Sequence, residues 1–260
     1  MRLGLSMLFC LGEPLSTAIK CLDKIGVDHI EIVDEGLHAL NSRRVSMLKR
    51  TFSGKGISLS VHAPFADINI ASTSPTIRRA VMKRLKKSME FSAQLNPECW
   101  VFHPGIRSAV SDALRNLDWE INLKSTHELL REAEKYGLRI TVENVPEPFP
   151  FLLKKVKEFK RFYEALGEDG LNLGITFDVG HANINGEINE FIKRFGSKIV
   201  HIHVHDNNGD FDAHLGVGFG SINWVEVISA VKKINYRGAL VVESKGNIGE
   251  SIQTLKKLLK

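Results

Sequence analysis

Residues 174–182 read GITFDVGHA: a short apolar run reaches Asp178, and a histidine follows three residues later. Such a run, rich in Ile, Thr and Phe and bounded by glycine, reads as a β-strand that runs out at Asp178. Five other stretches repeat the arrangement. SLSVHAPF (58–65) ends on His62, CWVFHPG (99–105) on His103, RITVENV (139–145) on Glu143, IVHIHVHDN (199–207) on His203 and ALVVES (239–244) on Glu243. Each strand therefore finishes in a residue able to bind a metal. His62 and Glu243 lie 181 residues apart over five intervals, about 36 residues each, close to the roughly 31 residues per strand-helix unit of a barrel of about 250 residues.

Apolar strand-like runs near 2–8, 28–33, 57–62, 99–103, 138–144, 173–178, 198–205 and 238–243 alternate with helical patterns along the chain. Repeated β-α units of this kind predict a parallel sheet, and eight of them in 260 residues predict a single (β/α)8 TIM barrel spanning 1–260 as one domain. Trp224, Val227, Ile228, Val231 and Ile234, spaced by threes and fours, mark the buried stripe of one outer helix. Gly26, Gly56, Gly137 and Gly238 each fall between a helix and the next strand, where a left-handed cap residue is expected. Pro75 and Ser111 are expected to open helices, as a first-turn proline and a capping serine. The stretch PEPFP (146–150) follows a strand directly and reads as a shaped loop at the site.

Composition points to a compact protein with one large core: 43% of residues are hydrophobic and 25% charged. A net charge of +5 fits an anionic substrate but speaks to solubility more than to chemistry. Cys10, Cys21 and Cys99 form neither a disulfide framework nor zinc-finger spacing, so each reads as a small buried hydrophobe in a reducing cytoplasm. The opening LGLSMLFCLG is broken by Glu13-Pro14 and reads as the first strand, not a signal peptide. No apolar run approaches the roughly 18 residues of a membrane span, so no membrane partner is expected. The basic tract Arg78, Arg79, Lys83, Arg84, Lys86 and Lys87 is interleaved with an apolar stripe of Ile77, Val81, Leu85 and Met89. Its charges are expected to face water on an outer helix, not nucleic acid.

Parallel barrels carry their sites at the carboxyl ends of the strands, so the six strand-end residues should converge. Imidazoles gathered with carboxylates suit a borderline divalent ion such as zinc, manganese or cobalt. His181, three residues after Asp178, and the pair Asp212 and His214 in the loop after the seventh strand extend the set to nine. One ion takes four to six ligands, so up to three ions are expected. In HIHVHD, His201, His203 and His205 share one side of the strand, and alternation does not say which of them ligates. An interior histidine is the other role open to His201, and contact with substrate the other role open to His205. Glu31 and Lys245 are open in the same way, inside the mouth or outside the barrel.

Taken together, SVHAPF with INIAS after it, VFHPG, TVEN, FDVGHA, HIHVHDNNGDFDAHLGVGFGSINW and VVES resemble the xylose isomerase-like barrel superfamily, which includes endonuclease IV and many sugar isomerases and epimerases. The resemblance covers nearly the whole chain. It implies a core metal site of Glu143, Asp178, His203 and Glu243, with His203 preferred because the family motif places the ligand three residues before an aspartate, here Asp206. The endonuclease IV pattern adds His62, His103, His181, Asp212 and His214, a trinuclear zinc set. The segments LSMLFCLGEP (5–14) and EIVDEGLHALN (31–41) depart from that pattern, since neither supplies the glycine-rich first loop or the arginine-bearing segment that enters DNA.

Two reactions follow from the resemblance. The first is isomerisation or epimerisation of a sugar or sugar phosphate: one to three divalent ions (Zn, Mn, Co or Mg) stabilise an enediolate, and Glu143 and Glu243 move the proton as catalytic acid and base. The second is cleavage of a phosphodiester at abasic DNA, with clustered ions activating a water. The missing DNA-binding loops favour the sugar reaction. Oligomeric state is not legible.

Overall fold

In the computed structural model, which describes residues 1–22 and 25–260, eight parallel strands close into a barrel in the order of the chain. They are β1 (Arg2–Ser6), β2 (His29–Val33), β3 (Ser58–His62), β4 (Trp100–Phe102), β5 (Ile140–Glu143), β6 (Leu173–Asp178), β7 (Ile199–Val204) and β8 (Ala239–Val242). The helices are α1 (Leu15–Leu22), α2 (Ser42–Phe52), α3 (Pro75–Ala93), α4 (Leu117–Tyr136), α5 (Val156–Leu166), α6 (Val179–Ile184), α7 (Ile188–Phe195), α8 (Trp224–Lys233) and α9 (Ile248–Leu259). Parallel neighbours cannot be joined by a hairpin, and a helical crossover returns the chain to the same end each time. All eight carboxyl ends therefore share one face. Among the described residues no helix is long and apolar enough to cross a membrane.

Alternation along the strands separates two environments. Leu3, Leu5, Ile30, Ile32, Val61, Phe102, Val142, Phe177, Ile202, Val204, Leu240 and Val242 belong to the buried apolar core, the layer between strands and outer helices. The barrel interior is polar. Glu31 of β2 and His201 of β7 stand on strands that are not neighbours, yet His201 Nε2 lies 2.9 Å from Glu31 Oε2. Around them His29, Ser60, Thr141 and Thr176 are fully buried and hydrogen-bonded. Gly4 makes room for this layer, since a Cβ there would stand 2.8 Å from Val241 Cγ2 and 3.2 Å from the His29 ring.

Several local expectations change. The first strand stops at Ser6, and Met7–Cys10 form a 3-10 turn whose Leu8 N–H donates to Ser6 Oγ at 3.3 Å. Ser111 does not open a helix: its hydroxyl and the Ser108 N–H both donate to the Asp118 carboxylate, at 2.9 and 2.8 Å. Arg115 and Asn116 then take left-handed backbone (φ 53° and 61°), so α4 begins only at Leu117. Ile77 is 56% exposed, because its turn is held by Arg78 bonding Ser125 and Glu128 of α4 and the apolar stripe starts at Val81. Arg79, Lys83 and Lys87 do face solvent, whereas Arg84 pairs with buried Asp34 at 2.8 Å.

Gly26, Gly56 and Gly137 have the positive φ expected of them. Gly238 does not: Asn235 (φ 56°) turns the chain after α8, and Gly238 is small because a Cβ would meet Tyr236 Oη at 2.3 Å. Cys10 and Cys99 are buried, Cys21 is exposed, and all three are free thiols. Trp224, Val227, Ile228 and Val231 form the buried face of α8, with Ile234 just past its end and half-buried.

Candidate metal centre

The strand ends deliver the site. His62, Glu143 and Asp178 are the last residues of β3, β5 and β6, His203 is the last but one of β7, and His103 and Glu243 immediately follow β4 and β8. Asp178 also caps α6, its Oδ1 accepting the His181 N–H at 2.7 Å, which fixes His181 one turn along. Asp212 and His214 hang on the loop between β7 and α8. Asp206 ties that loop down, accepting from Gly218 N at 3.0 Å, Ile222 N at 3.2 Å and Trp224 Nε1 at 2.8 Å. The aspartate of the HVHD motif thus serves the loop rather than an ion.

Among the described residues four groups of potential ligand atoms form, three at this end and one, Glu31 with His201 and His203, deeper in the barrel. In the first, His203 Nδ1 lies 3.3 Å from Glu143 Oε1, 3.5 Å from Glu243 Oε2 and 3.8 Å from Asp178 Oδ2. In the second, His62 Nε2 and His103 Nε2 are each 3.3 Å from Glu143 Oε2. In the third, Asp212 Oδ2 lies 3.4 Å from His181 Nε2 and 3.1 Å from His214 Nε2, and Asp212 Oδ1 lies 3.7 Å from His205 Nε2. Four donors about 2.0–2.1 Å from one zinc ion stand about 3.4 Å apart, so these spacings suit a shared cation. Glu143 joins the first two groups. All nine residues singled out from the sequence fall within these groups, and His205 joins them.

The rings are already turned. A backbone carbonyl can only accept, so the nitrogen facing it carries the hydrogen and the other nitrogen is left as a ligand atom. His62 Nδ1 faces the Ala63 carbonyl at 2.8 Å, His181 Nδ1 that of Asn144 at 2.8 Å, and His214 Nδ1 that of Glu243 at 2.7 Å. For His203 the second partner is Glu31, 3.2 Å from Nε2, which leaves Nδ1 for the first group. Buried polar atoms are normally satisfied. Asp178 Oδ2, Asp212 Oδ1 and both ring nitrogens of His205 have no hydrogen-bond partner. The residues present therefore fit a divalent ion.

Glu31 and His205 escape a reading of the sequence. A signal for Glu31 existed: in HIEIV it shares a side with His29, in register with Ser58 and Ser60 of β3. His205 is fully buried and does not line the cavity, so of the two roles open to it, contact with substrate is the one its position does not favour. His201 is the satisfied interior histidine, bonded to Glu31.

Where no ion neutralises the carboxylates, protons do. Burial opposes charge on His62 and His181, yet Glu143 outweighs it and carries His62 up to about 9, while Asp178 and Asp212 carry His181 up to about 10. Burial also penalises the carboxylates, but His203 and His103 hold Glu143 well below its ordinary range, and His181 and His214 do the same for Asp212. A histidine raised from 6.5 to about 9 or 10 stabilises the fold fully below 6.5 and loses that contribution as pH climbs through the raised value. Metal-free protein should therefore lose melting temperature between pH about 6.5 and about 10, and zinc-loaded protein much less. Zinc uptake near neutral pH should release protons into a weakly buffered indicator solution. A flat melting profile for the metal-free protein would contradict this account.

Above the groups lies a cavity of about 450 Å³, a size suited to a small molecule. Its wall combines Glu143, Glu243 and the His62, His103, His181, Asp212 and His214 side chains with Leu8, Phe65, Phe149 and Phe151, while Asp178 and His203 lie beneath it, and Lys245, exposed, stands on its lining. Pro146 and Phe149 place the PEPFP loop at this wall.

Residues 19–258 match the xylose isomerase-like TIM barrel family, and the chain belongs to that family. It is 34% identical to uncharacterized protein MJ1311 of Methanocaldococcus jannaschii, over all of this chain and 88% of that one. Its identity to D-psicose 3-epimerase of Ruminiclostridium cellulolyticum is 27%, over 90% of this chain and 81% of the relative. Among solved structures, a D-tagatose 3-epimerase-like protein superposes with a TM-score of 0.93 at 32% identity, covering 100% of this chain and 97% of that one.

Proposed function

We propose that the protein epimerises or isomerises a ketose, or a ketose phosphate, by moving the proton on the carbon beside the carbonyl. A divalent ion would be held by Glu143, Asp178, His203 and Glu243. The observation that carries the reading is the pair of carboxylates, Glu143 and Glu243, both set within 3.5 Å of His203 Nδ1 and both lining a cavity of sugar size. Relatives named for epimerisation at carbon 3 of D-psicose and D-tagatose support it, because that carbon is next to the carbonyl.

An ion in this cage supplies positive charge that offsets the charge developing on neighbouring substrate oxygens. Glu143 ends β5 and Glu243 follows β8, with two strands between them around the barrel, and so they reach the cavity from different sides. One takes the proton, leaving an enediolate, and the other returns one to the opposite face. Such positioned acid-base work contributes roughly 10²- to 10⁴-fold. A proton arriving on Glu143 Oε2 lies 3.3 Å from His62 Nε2 and His103 Nε2, and the His103 side chain, 21% exposed, links it to solvent. Leu8, Phe65, Phe149 and Phe151 cover the carbon face of the sugar and exclude water, while Lys245 meets a hydroxylated or anionic end. The mixture of imidazole and carboxylate suits zinc, manganese or cobalt better than magnesium. Free thiols at Cys10, Cys21 and Cys99 fit work in a reducing cytoplasm.

A second reading, hydrolysis at abasic DNA as in endonuclease IV, is favoured by one observation: Glu143 bridges two complete groups and a third adjoins them. That reading needs an ion at His62 and His103, where the sugar reaction needs only protons. Incubating the zinc-, manganese- or cobalt-loaded protein in D2O with free and phosphorylated ketoses should place deuterium on one carbon beside the carbonyl. No exchange with any of them, together with nicking of abasic duplex at an enzymatic rate and three ions per chain, would replace the first reading by the second.

A further inference from the structure

We propose that His205 is the fourth protein ligand of a second ion, held with His181, Asp212 and His214, and that this ion is closed off by protein and takes no substrate oxygen. The inference deepens the reading above, since it leaves the cage of Glu143, Asp178, His203 and Glu243 as the place where substrate is handled. His205 is wholly buried, and neither of its ring nitrogens has a hydrogen-bond partner. Other buried histidines of the barrel are satisfied: His29 between Ser58 and Ser60, His201 by Glu31. A ring serving the core alone would be satisfied in the same way.

Its position is built. The His214 ring stacks on it at 4.0 Å with 20° between the planes, and Gly180 leaves it room, since a Cβ there would stand 2.1 Å from His205 Cε1. Nε2 thereby stands 3.1 Å from Asp178 Oδ1, an oxygen that already accepts the His181 N–H, and 3.7 Å from Asp212 Oδ1, a buried oxygen without a partner. The carbonyls of Asn144 and Glu243 turn the other two rings so that their Nε2 atoms face Asp212. One atom from each of the four residues lies within 4.8 Å of all the others. Three histidines and one carboxylate complete a tetrahedral zinc set, whereas the cage, one imidazole with three carboxylates, suits a six-coordinate ion that keeps positions open for substrate oxygens. His181, Asp212 and His214, all on the cavity lining, would by themselves leave a position open to substrate. His205, approaching from outside the cavity lining, fills it, and the ion then clasps the loop after β7 to α6.

The test compares the full chain with His205→Ala, Gly180→Ala and Glu243→Gln, each loaded with Co2+ and then Zn2+ and measured for ions per chain and visible absorption. Wild type should hold an ion with the intense bands of tetrahedral cobalt, and these should not change when inorganic phosphate is added. His205→Ala should lose one ion and those bands while keeping the other ion. Gly180→Ala, which keeps the imidazole but displaces it, should do the same with native circular dichroism, and it decides the matter if His205→Ala does not fold. Unchanged ion content and bands in both variants, or bands that shift with phosphate, would overturn the proposal. Glu243→Gln should spare the tetrahedral bands and weaken only the other ion; if it leaves both ions untouched, the catalytic cage is wrong and the His205 site stands.

Discussion

Glu143→Gln is expected to slow proton exchange on the ketose by roughly 10²- to 10⁴-fold, the range that positioned acid-base groups contribute. The amide has nearly the shape of the carboxylate but cannot take a proton. It also removes charge where the site is most crowded, since Oε1 faces His203 Nδ1 at 3.3 Å and Oε2 faces His62 and His103 at 3.3 Å. The loss should fall on kcat more than on KM, because the missing step belongs to the transition state. Lys245→Ala, at the cavity lining, should act mainly on KM. Ion content measured on the same Glu143→Gln preparation separates lost chemistry from a lost ion. Activity within tenfold of wild type, with the ion bound, would remove Glu143 from acid-base work.

Glu31→Ala should destabilise the fold by about 3–5 kcal/mol, the usual cost of removing one partner from a buried charged network. Its Oε2 meets His201 Nε2 at 2.9 Å, His203 Nε2 at 3.2 Å and Ser60 Oγ at 3.0 Å. Burial works against ionising this carboxyl, but His203 and His201 outweigh it and hold the pKa well below the ordinary value. Without it, two imidazoles in the barrel interior lose their counter-charge. His203 also loses the bond that turns Nδ1 toward the cage, and partners of that kind alter metal affinity by roughly 10- to 100-fold. Glu31→Gln, which keeps an acceptor for the His203 N–H, should recover part of the zinc affinity without the full stability. Urea unfolding and competitive zinc titration measure the two effects separately. Zinc affinity unchanged in Glu31→Ala would show that Glu31 stabilises the barrel without orienting its ligand.

The site was legible where a local pattern meets a general rule of architecture. GITFDVGHA and its five companions mark strands by composition alone, and a closed parallel barrel brings their ends together whatever lies between. The same logic recovers His181, because a helix begun at Asp178 must turn back within three residues. Ser111 fails under it: the rule is local, and Asp118, further along, draws Ser108 and Ser111 into a turn before α4 can start.

Alternation also places His201, His203 and His205 on one side of β7 and can go no further. Their depths differ, and depth follows from the register of eight strands. In that register His203 aligns with Asp178 and His201 with Thr176, so one histidine reaches the ligand layer while another lies beneath it beside Glu31. Glu31 shows the same limit more sharply, for a glutamate in the middle of a strand has no partner nearby in sequence, and His201 is 170 residues away. The chain by itself determined the number of strands, their order of appearance and the residue type at each carboxyl end, because all of these depend on short-range periodicity. Only the closed barrel decided which histidine meets which carboxylate, because those distances are set by contacts between strands far apart in the chain.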